Sequence, residues 1–257
     1  MLRSIFTIAG LLAFSAAVPI GQDSAQSDAS LLRTARDPST LPREPFCAIS
    51  AGCQGSAEEV HGDDDDGKRY GLRIANRGDA EATYFIYQNS CDCVPLKYVA
   101  VAAGGTRFVA LAAGFQGRVV RGTAAMNLDG RPHRLGTWVE VNVGADDGVG
   151  WGNVSLIKGC DGAAEVEALD GTGARTGFDD WLLDGAPPGA YKAKDNGVRV
   201  IGETEALDNP LDILFVPRDY LAGILGYAKA YIDDHHGNPV IRSGSGRLAV
   251  TFYKGRT

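Results

Sequence analysis

Short segments rich in β-branched and aromatic residues follow one another through residues 70–157, and glycine-containing turns separate them. Such residues favour strands, and short strands with turns about every 8–12 residues are typical of a sandwich or a barrel. In one segment Trp138, Glu140 and Asn142 alternate with three valines, which predicts one apolar face and one face that carries polar groups. The sequence therefore predicts a mainly β protein, either a sandwich or a barrel.

One helix is predicted near the C-terminal end of the sequence. Five apolar residues within 220–232 recur at spacings of three and four, so they share one face of a helix. These residues are Leu221, Ile224, Leu225, Ala228 and Ile232. Gly223 and Gly226 interrupt the stretch, and they either weaken the helix or mark close packing against the sheet. A final alternating strand is predicted over residues 247–253.

Residues 1–17 predict a secretory signal peptide. A positive charge at Arg3 precedes an apolar run that begins at Ile5 and ends in small residues at Ala17. This run is too short to span a membrane, and no later stretch reaches the length that a span requires. The alternative is a buried N-terminal helix, which fits poorly with the polar sequence that follows. We therefore expect a secreted, extracellular protein in which disulfides can form.

Residues 18–69 are predicted to form a disordered acidic leader. The stretch is rich in Ser, Ala, Asp, Pro and Gly, and four aspartates occupy 63–66. The dibasic pair Lys68-Arg69 follows, and a dibasic pair in exposed, flexible chain is a substrate for kexin-type processing proteases. An ordinary charged linker is the alternative. Cleavage after Arg69 would leave residues 70–257 as the mature sandwich domain.

The acidity of the chain belongs mainly to this leader. Residues 1–69 hold six of the 25 basic residues and ten of the 32 acidic residues, so their removal changes the formal net charge from −7 to −3. A negative charge disfavours nucleic acid and anionic membrane surfaces as partners.

Six motifs occur in an order and spacing that together indicate a family. They lie at residues 73–78, 106–109, 117–123, 135–140, 151–159 and 247–253. In this order the chain resembles the thaumatin-like proteins, a secreted β-sandwich family with plant, animal and fungal members. The resemblance implies an antiparallel β-sandwich. The resemblance covers most of 70–165 and the last strand, whereas 175–245 has no clear counterpart. The dibasic site and the small secreted domain point to a fungal secretory context.

The cysteines depart from the pattern that this resemblance implies. In the family a cysteine after the first strand pairs with one in the last strand, and here Gly78 and Tyr253 occupy both positions. Their joint absence indicates a branch of the family with a reduced disulfide set. Among the cysteines present, the two in the leader, Cys47 and Cys53, could pair with each other. We expect Cys160 to form a bridge with either Cys91 or Cys93.

Cys91 and Cys93 are too close in sequence to bridge each other easily. A metal site built on this Cys-x-Cys pair is the alternative, but no set of His or Cys residues surrounds it at ligand spacing. The run Asp233 to His236 also resembles a set of metal ligands. Adjacent residues point in different directions, however, and histidines at the C-terminal end of a helix suit its dipole. We predict no metal and no cofactor.

The resemblance also implies a candidate site. Many thaumatin-like proteins have an acidic cleft, with an arginine, a glutamate and several aspartates, that binds or slowly cleaves β-1,3-glucans. Arg121 and Glu140 match the first two of these, whereas Asn153 and Lys158 stand where the family has aspartates. Asp161 is a nearby carboxylate. Hydrolysis requires two carboxylates that flank the glycosidic bond, so the substitutions favour binding over catalysis.

We therefore predict a secreted, non-catalytic binding protein whose ligand contacts Arg121, Glu140, Asn153 and Lys158. Its partner would be a cell-wall polysaccharide or an extracellular protein of a host or competitor. The alternative is a weak β-1,3-glucanase that uses Glu140 and Asp161, although the charge of Lys158 is expected to lower the pKa of Glu140, the wrong direction for a general acid. A secreted structural protein without a defined ligand is a further alternative.

Two other features of this region leave alternatives open. Trp138 and Trp151 could each hold a sugar face or belong to the core. Asn153 begins a glycosylation sequon, but the sequon falls within a predicted strand, so its occupancy is open.

Overall fold

The computed structural model describes residues 52–257 except 146, 207, 208 and 210. The predicted signal peptide and residues 18–51 of the predicted leader, including Cys47, lie outside the described residues. The described chain is mainly β and forms two principal sheets around a shared apolar core, which confirms the predicted fold class.

Seven strands form the larger sheet. In spatial order they are β1 (Glu58–Val60), β4 (Lys97–Val101), β3 (Ala82–Gln88), β6 (Phe115–Gly122), β7 (Trp138–Val143), β8 (Gly150–Ser155) and β13 (Ile241–Ser243). Five strands form the second sheet. These are β10 (Arg175–Gly177), β9 (Gly162–Ala168), β14 (Arg247–Gly255), β2 (Gly71–Arg77) and β5 (Thr106–Ala110). A separate hairpin consists of β11 (Tyr191–Ala193) and β12 (Arg199–Ile201).

Two strand pairs are parallel, so the sheets are mixed where an antiparallel sandwich was predicted. Strand β14 pairs parallel with β2 and antiparallel with β9, and β1 pairs parallel with β4. The last strand of the chain therefore lies in the middle of the five-stranded sheet. Parallel neighbours require a long connection, and nearly the whole domain separates β2 from β14.

The core lies between the two sheets. Alternate residues of each strand contribute to it, as the period of two requires. Ile86, Val119 and Val139 come from the larger sheet, and Leu72 and Val250 come from the smaller one; all five are buried. The same strands turn their other faces away from this core, and the larger sheet carries its polar groups there.

The helix predicted near the C-terminal end is confirmed as α2 (Phe215–Leu225), and a short helix, α1 (Ala124–Asn127), follows β6. Helix α2 begins before the predicted stretch and ends at Leu225. Gly226 follows it, and its φ of +67° lies in the left-handed region that favours glycine. Ile232 is buried in the core, but beyond the helix. No helix among the described residues is long and apolar enough to cross a membrane.

The described part of the predicted leader, residues 52–69, is attached to the sandwich rather than disordered. Its strand β1 extends the larger sheet, and Cys53 forms a disulfide with Cys91. The side chain of Asp65 forms ion pairs with Arg73 and Arg247. The sequence does not reveal the contact with Arg247, because this partner lies 182 residues away along the chain.

The disulfides also differ from those predicted. The Cα atoms of Cys53 and Cys91 are 5.5 Å apart, within the ordinary range for a disulfide. Cys93 is disulfide-bonded as well, so the prediction that Cys160 pairs with one of these two is wrong, as is the pairing of Cys53 with Cys47. Cys160 is a free thiol in the core, and burial raises its pKa to about 11.

Candidate functional site

A row of polar and aromatic side chains crosses the outer face of the larger sheet. The strand register places Tyr87 beside Arg118, Arg118 beside Glu140, and Glu140 beside Asn153. Residues at matching positions of adjacent strands point to the same face. Valines alternate with these residues on β6, β7 and β8 and face the core, so this row faces away from it, as the alternation in β7 predicted.

Arg118 provides a fixed positive charge in this row. Its side chain is 5% exposed and lies between two aromatic rings, with its guanidinium carbon 4.6 Å from the centre of Tyr87 and 4.0 Å from that of Trp138. It forms an ion pair of 2.8 Å with Asp92. Burial lowers the pKa of Arg118, but a guanidinium stays charged in proteins. Such stacking also fixes its orientation.

Arg121, the arginine that was predicted to lie beside Glu140, lies on the other face of the sheet. Arg121 lies three residues after Arg118 on the same strand, and an odd offset turns a side chain to the opposite face. Arg121 therefore points to the inside of the sandwich, over the ring of Phe252, and forms an ion pair of 3.3 Å with Asp161. Its predicted place beside Glu140 is not observed.

Asp161 is also absent from the outer face. Its side chain is 1% exposed, and in addition to Arg121 it binds the ammonium of Lys194 at 2.7 Å. Backbone N–H of Thr137 and the carboxylate of Asp161 are 3.4 Å apart, which further fixes this group inside the domain. The predicted catalytic pair of Glu140 and Asp161 therefore does not flank a common groove.

The pKa of the Glu140 carboxyl group is higher than its ordinary value. Burial raises its pKa, and the hydrogen bond from Asn153 and the charge of Arg118 offset this only in part. Asp234 raises the pKa further, and Lys158 lowers it slightly. Lys158 therefore acts in the predicted direction, but the net pKa of Glu140 is raised, because the loss of water around the carboxylate outweighs the attraction of the nearby cations.

An open groove of about 250 Å³ lies along this part of the sheet. Its polar walls are made by Asn89, Gln116, Glu140, Asn142 and Asn153, and Trp151 forms an apolar wall. Gln116, Asn142 and Trp151 occupy a second row in register beside the first.

Two features of the groove suit a ligand rich in hydroxyl groups. The indole of Trp151 is 41% exposed, although aromatic side chains of this size are usually more buried. The side-chain oxygens of Asn142 and Asn153 are buried and accept no hydrogen bond from the described residues. A ligand that supplies donors would satisfy these oxygens and could pack an apolar face on the indole.

A carboxylate that the sequence did not assign to the site acts on the pKa of Glu140. The chain around Tyr231 runs along β8, where the N–H of Tyr231 donates to the carbonyl of Val154 at 2.8 Å. This contact brings Asp234 close enough to raise the pKa of Glu140. Only the tertiary contact of 231–234 with β8 reveals this proximity, and no periodic signal in the sequence indicates it.

The rest of the Asp233–His236 run forms a turn. Asp233 accepts hydrogen bonds from the backbone N–H groups of His235 and His236 and from the ring of His236. These bonds lower the pKa of Asp233 although its burial acts in the opposite direction. Among residues 52–257 as described, no group of three His, Cys, Asp or Glu side chains is arranged to hold a metal ion.

The remaining predicted residues line a different, more enclosed cavity of about 100 Å³. Arg121, Lys158 and Asp161 are part of its wall, together with Lys192, Lys194 and Glu203. The structure therefore divides the five predicted site residues between two places. Glu140 and Asn153 lie in the groove, and the other three line the cavity.

No protein-family model matches the chain, and no curated protein matches it. Its function is therefore inferred from the chemistry of these two places.

Proposed function

We propose that this chain is a secreted, thaumatin-like binding protein and that the groove on the outer face of the larger sheet binds a cell-wall glycan. The observation that carries the proposal is the exposed indole of Trp151 beside the unpartnered amide oxygens of Asn142 and Asn153. Planar polar groups orient sugar hydroxyls, and an aromatic ring packs against the apolar face of a sugar.

The charges of the groove favour binding of a neutral ligand. Arg118 is already paired with Asp92, and Glu140 accepts a hydrogen bond from Asn153. A neutral β-1,3-glucan therefore fits better than a strongly charged ligand. An extracellular protein of a host or competitor is the other partner class that the sequence predicts, and its surface would present amides and hydroxyls to the same side chains.

A glycan array followed by calorimetry with laminarin tests this proposal. We expect saturable binding by the wild type and at least about a tenfold loss of affinity in Trp151→Ala, which removes the stacking surface. Trp181→Ala is a matched control because Trp181 is also 41% exposed but does not line the groove. An empty array, or an equal loss in both tryptophan variants, would contradict the proposal.

A weak glycoside hydrolase is the second candidate function, and the raised pKa of Glu140 favours it. A general acid must hold its proton near the working pH, and burial moves Glu140 in that direction. Asp234 replaces Asp161 as the second carboxylate of this candidate, because its charge acts on the pKa of Glu140. One carboxyl group would protonate the leaving oxygen while the other acts as nucleophile or activates water.

Release of reducing sugar from laminarin distinguishes the two functions. Hydrolysis that is abolished in Glu140→Gln and strongly reduced in Asp234→Asn would establish the enzyme. Binding without release of sugar supports the non-catalytic protein. Asp161→Asn is unsuitable as a test of catalysis, because the partners of Asp161 are buried and the variant is expected to be strongly destabilised.

Secretion and processing form part of the same proposal. The signal-peptide pattern and the disulfide bonds at Cys53, Cys91 and Cys93 suit an oxidising compartment. Lys68 and Arg69 are exposed, so a processing protease can reach them. The disulfide Cys53–Cys91 joins chain on both sides of this dibasic pair, so a cut after Arg69 would leave both pieces covalently linked.

Mass spectrometry of the secreted protein, run with and without reductant, tests this processing. We expect one species without reductant and an N-terminus at Tyr70 after reduction. A chain that stays intact on reduction would show that Lys68-Arg69 is an ordinary linker. Lys68→Gln combined with Arg69→Gln is the control, since it removes the recognition pair and leaves the disulfide intact.

A further inference from the structure

The enclosed cavity has one apolar wall and one charged wall. Carbon atoms of Met126, Pro132 and Leu135 contribute the first, and the second includes side chains of Lys158 and Glu203. The cavity of about 100 Å³ is smaller than the dry cavities of about 150 Å³ that accept benzene. A ligand with a few carbon atoms fits this volume, whereas an oligosaccharide does not.

Basic side chains outnumber acidic ones around this cavity. Five Lys and Arg side chains and three Asp and Glu side chains are among its lining residues. Asp161 is shared by two of the cations, Arg121 and Lys194, and Glu203 pairs with Lys192 through Oε1. A negatively charged ligand is therefore favoured over a neutral or zwitterionic one.

Lys158 is the cation left without a partner. Within the part of the chain that the structure describes, no hydrogen bond and no carboxylate within 4.0 Å engages its ammonium. Its side chain is only partly exposed. Every other lysine on this wall, Lys192 and Lys194, forms an ion pair. An ammonium that is partly withdrawn from water and unpaired gains from an anionic ligand.

Glu203 offers an acceptor that is also unused. Its side chain is 7% exposed, and Oε2 is buried and lacks a hydrogen-bond partner among the described residues. A buried acceptor without a partner is costly, and such atoms in native structures call for an explanation such as a bound molecule. The other oxygen, Oε1, accepts from Lys192. The missing partner of Oε2 must be a donor, because the oxygens of an ionised carboxylate only accept hydrogen bonds.

Lys158 and Glu203 lie opposite each other. Residues 157–160 run antiparallel to 201–204, because Thr204 N–H donates to the Ile157 carbonyl at 3.0 Å and residues Cys160 and Ile201 exchange two bonds of 3.0 Å. This register sets Lys158 across from Glu203. The two side chains nevertheless form no ion pair, and both residues line the cavity.

We propose that this cavity binds a short hydroxycarboxylate. Its carboxylate binds the ammonium of Lys158, its hydroxyl donates to Oε2 of Glu203, and its carbon chain packs against Leu135. One molecule thereby satisfies the unpaired cation, the unpaired acceptor and the apolar wall. The site is separate from the glycan groove, and the proposal does not depend on the function assigned to that groove.

Calorimetry and thermal unfolding of the full secreted chain test the proposal with three probes of similar size. L-Lactate carries both groups, propionate lacks the hydroxyl, and propane-1,2-diol lacks the charge. Sodium chloride keeps the ionic strength equal. We expect lactate to bind saturably and to raise Tm. Propionate should bind about tenfold more weakly, because it leaves Oε2 without a donor, and the diol should not bind measurably.

Variants connect this binding to the two side chains. Lys158→Met should weaken lactate binding at least about tenfold, whereas Lys254→Met, which changes an exposed lysine outside the cavity, should not. Glu203→Gln should reduce the preference for lactate over propionate. Trp151→Ala should leave lactate affinity unchanged, which separates this site from the groove.

Three results would overturn the proposal. The first is the absence of saturable heat and of any Tm shift with lactate. The second is equal affinity for lactate and propionate, which would remove the role of Glu203. The third is unchanged lactate affinity in Lys158→Met. If Glu203→Gln does not fold, the wild type still tests the role of Oε2. The affinity of the wild type for lactate relative to propionate then shows whether Oε2 accepts a hydrogen bond from the ligand hydroxyl.

Discussion

The groove and the enclosed cavity hold residues that the sequence placed in one site, yet they are built in different ways. The groove lies on regular strands, where register alone aligns Arg118, Glu140 and Asn153. The cavity draws Asp161 and Lys194 together from separate parts of the chain. The groove presents amides and an indole to solvent, whereas the cavity wall includes the buried, paired charges of Arg121, Asp161 and Lys194. Open polar faces tolerate change, and buried charge clusters do not.

Loss of the shared carboxylate in the cavity wall should have the largest effect. Asp161→Asn leaves the buried Arg121 and Lys194 without a negative partner, which is expected to cost about 3–5 kcal/mol of the free energy of unfolding. Asp234→Asn changes an exposed carboxylate and should cost less than about 0.5 kcal/mol. Chemical denaturation of both variants measures the contrast, and equal losses would contradict it.

The groove also has a buried charge, the guanidinium of Arg118. Its removal tests whether the groove tolerates the loss of a buried charge better than the cavity does. Arg118→Met removes the cation between Tyr87 and Trp138 and leaves Asp92 unpaired. We expect a loss of about 2 kcal/mol, smaller than for Asp161→Asn, because Asp92 is partly exposed and remains hydrated. The pKa of Glu140, followed by NMR titration, should rise in this variant. A pKa that falls would contradict the role of Arg118.

The pH dependence of stability gives a smaller effect specific to the groove. Burial raises the pKa of Glu140 above its ordinary value of 4.5 in the folded protein, so the folded state holds this proton more tightly than the unfolded state. The contribution is therefore fully present below pH 4.5 and is lost as the pH rises through the folded value. Relative to Glu140→Gln, the wild type should lose stability across that window. Denaturation at several pH values measures the difference, and a constant difference would contradict it.

The smallest expected effect concerns Lys158 on the cavity wall. Lys158→Met removes an ammonium without an ion pair among the described residues, so the free energy of unfolding in the absence of ligand should change by less than about 0.5 kcal/mol. This separates a ligand-binding lysine from a structural one such as Lys194. A large destabilisation by Lys158→Met would show that the lysine holds the fold.

The strand pattern was readable because its physical cause is local. In β7, valines alternate with Trp138, Glu140 and Asn142, and the structure places the two sets on opposite faces. The same rule puts Arg118 and Arg121 on opposite faces of β6, but it does not say which of them shares a face with Glu140. The register of β6 against β7 puts Arg118 there instead, and register is not visible in either strand alone.

Other errors arose where distant segments meet. The sequence paired Cys160 with a cysteine of the Cys91-Asp92-Cys93 segment, but Cys160 lies in the core and Cys53 reaches Cys91. The acidic leader was predicted to be disordered, yet Asp65 meets Arg247, which is 182 residues away. Such partners have no signature in a local window of sequence.

By itself, the sequence determined the fold class, the helix near the C-terminal end and the polar face of β7, because hydrophobic periodicity reports which side of an element is buried. Only the tertiary structure decided which charges share a site. Lys158 and Glu203 lie opposite each other because residues 157–160 pair with 201–204. Electrostatic and hydrogen-bonding partners depend on distance in space, and the order of residues along the chain does not encode that distance directly.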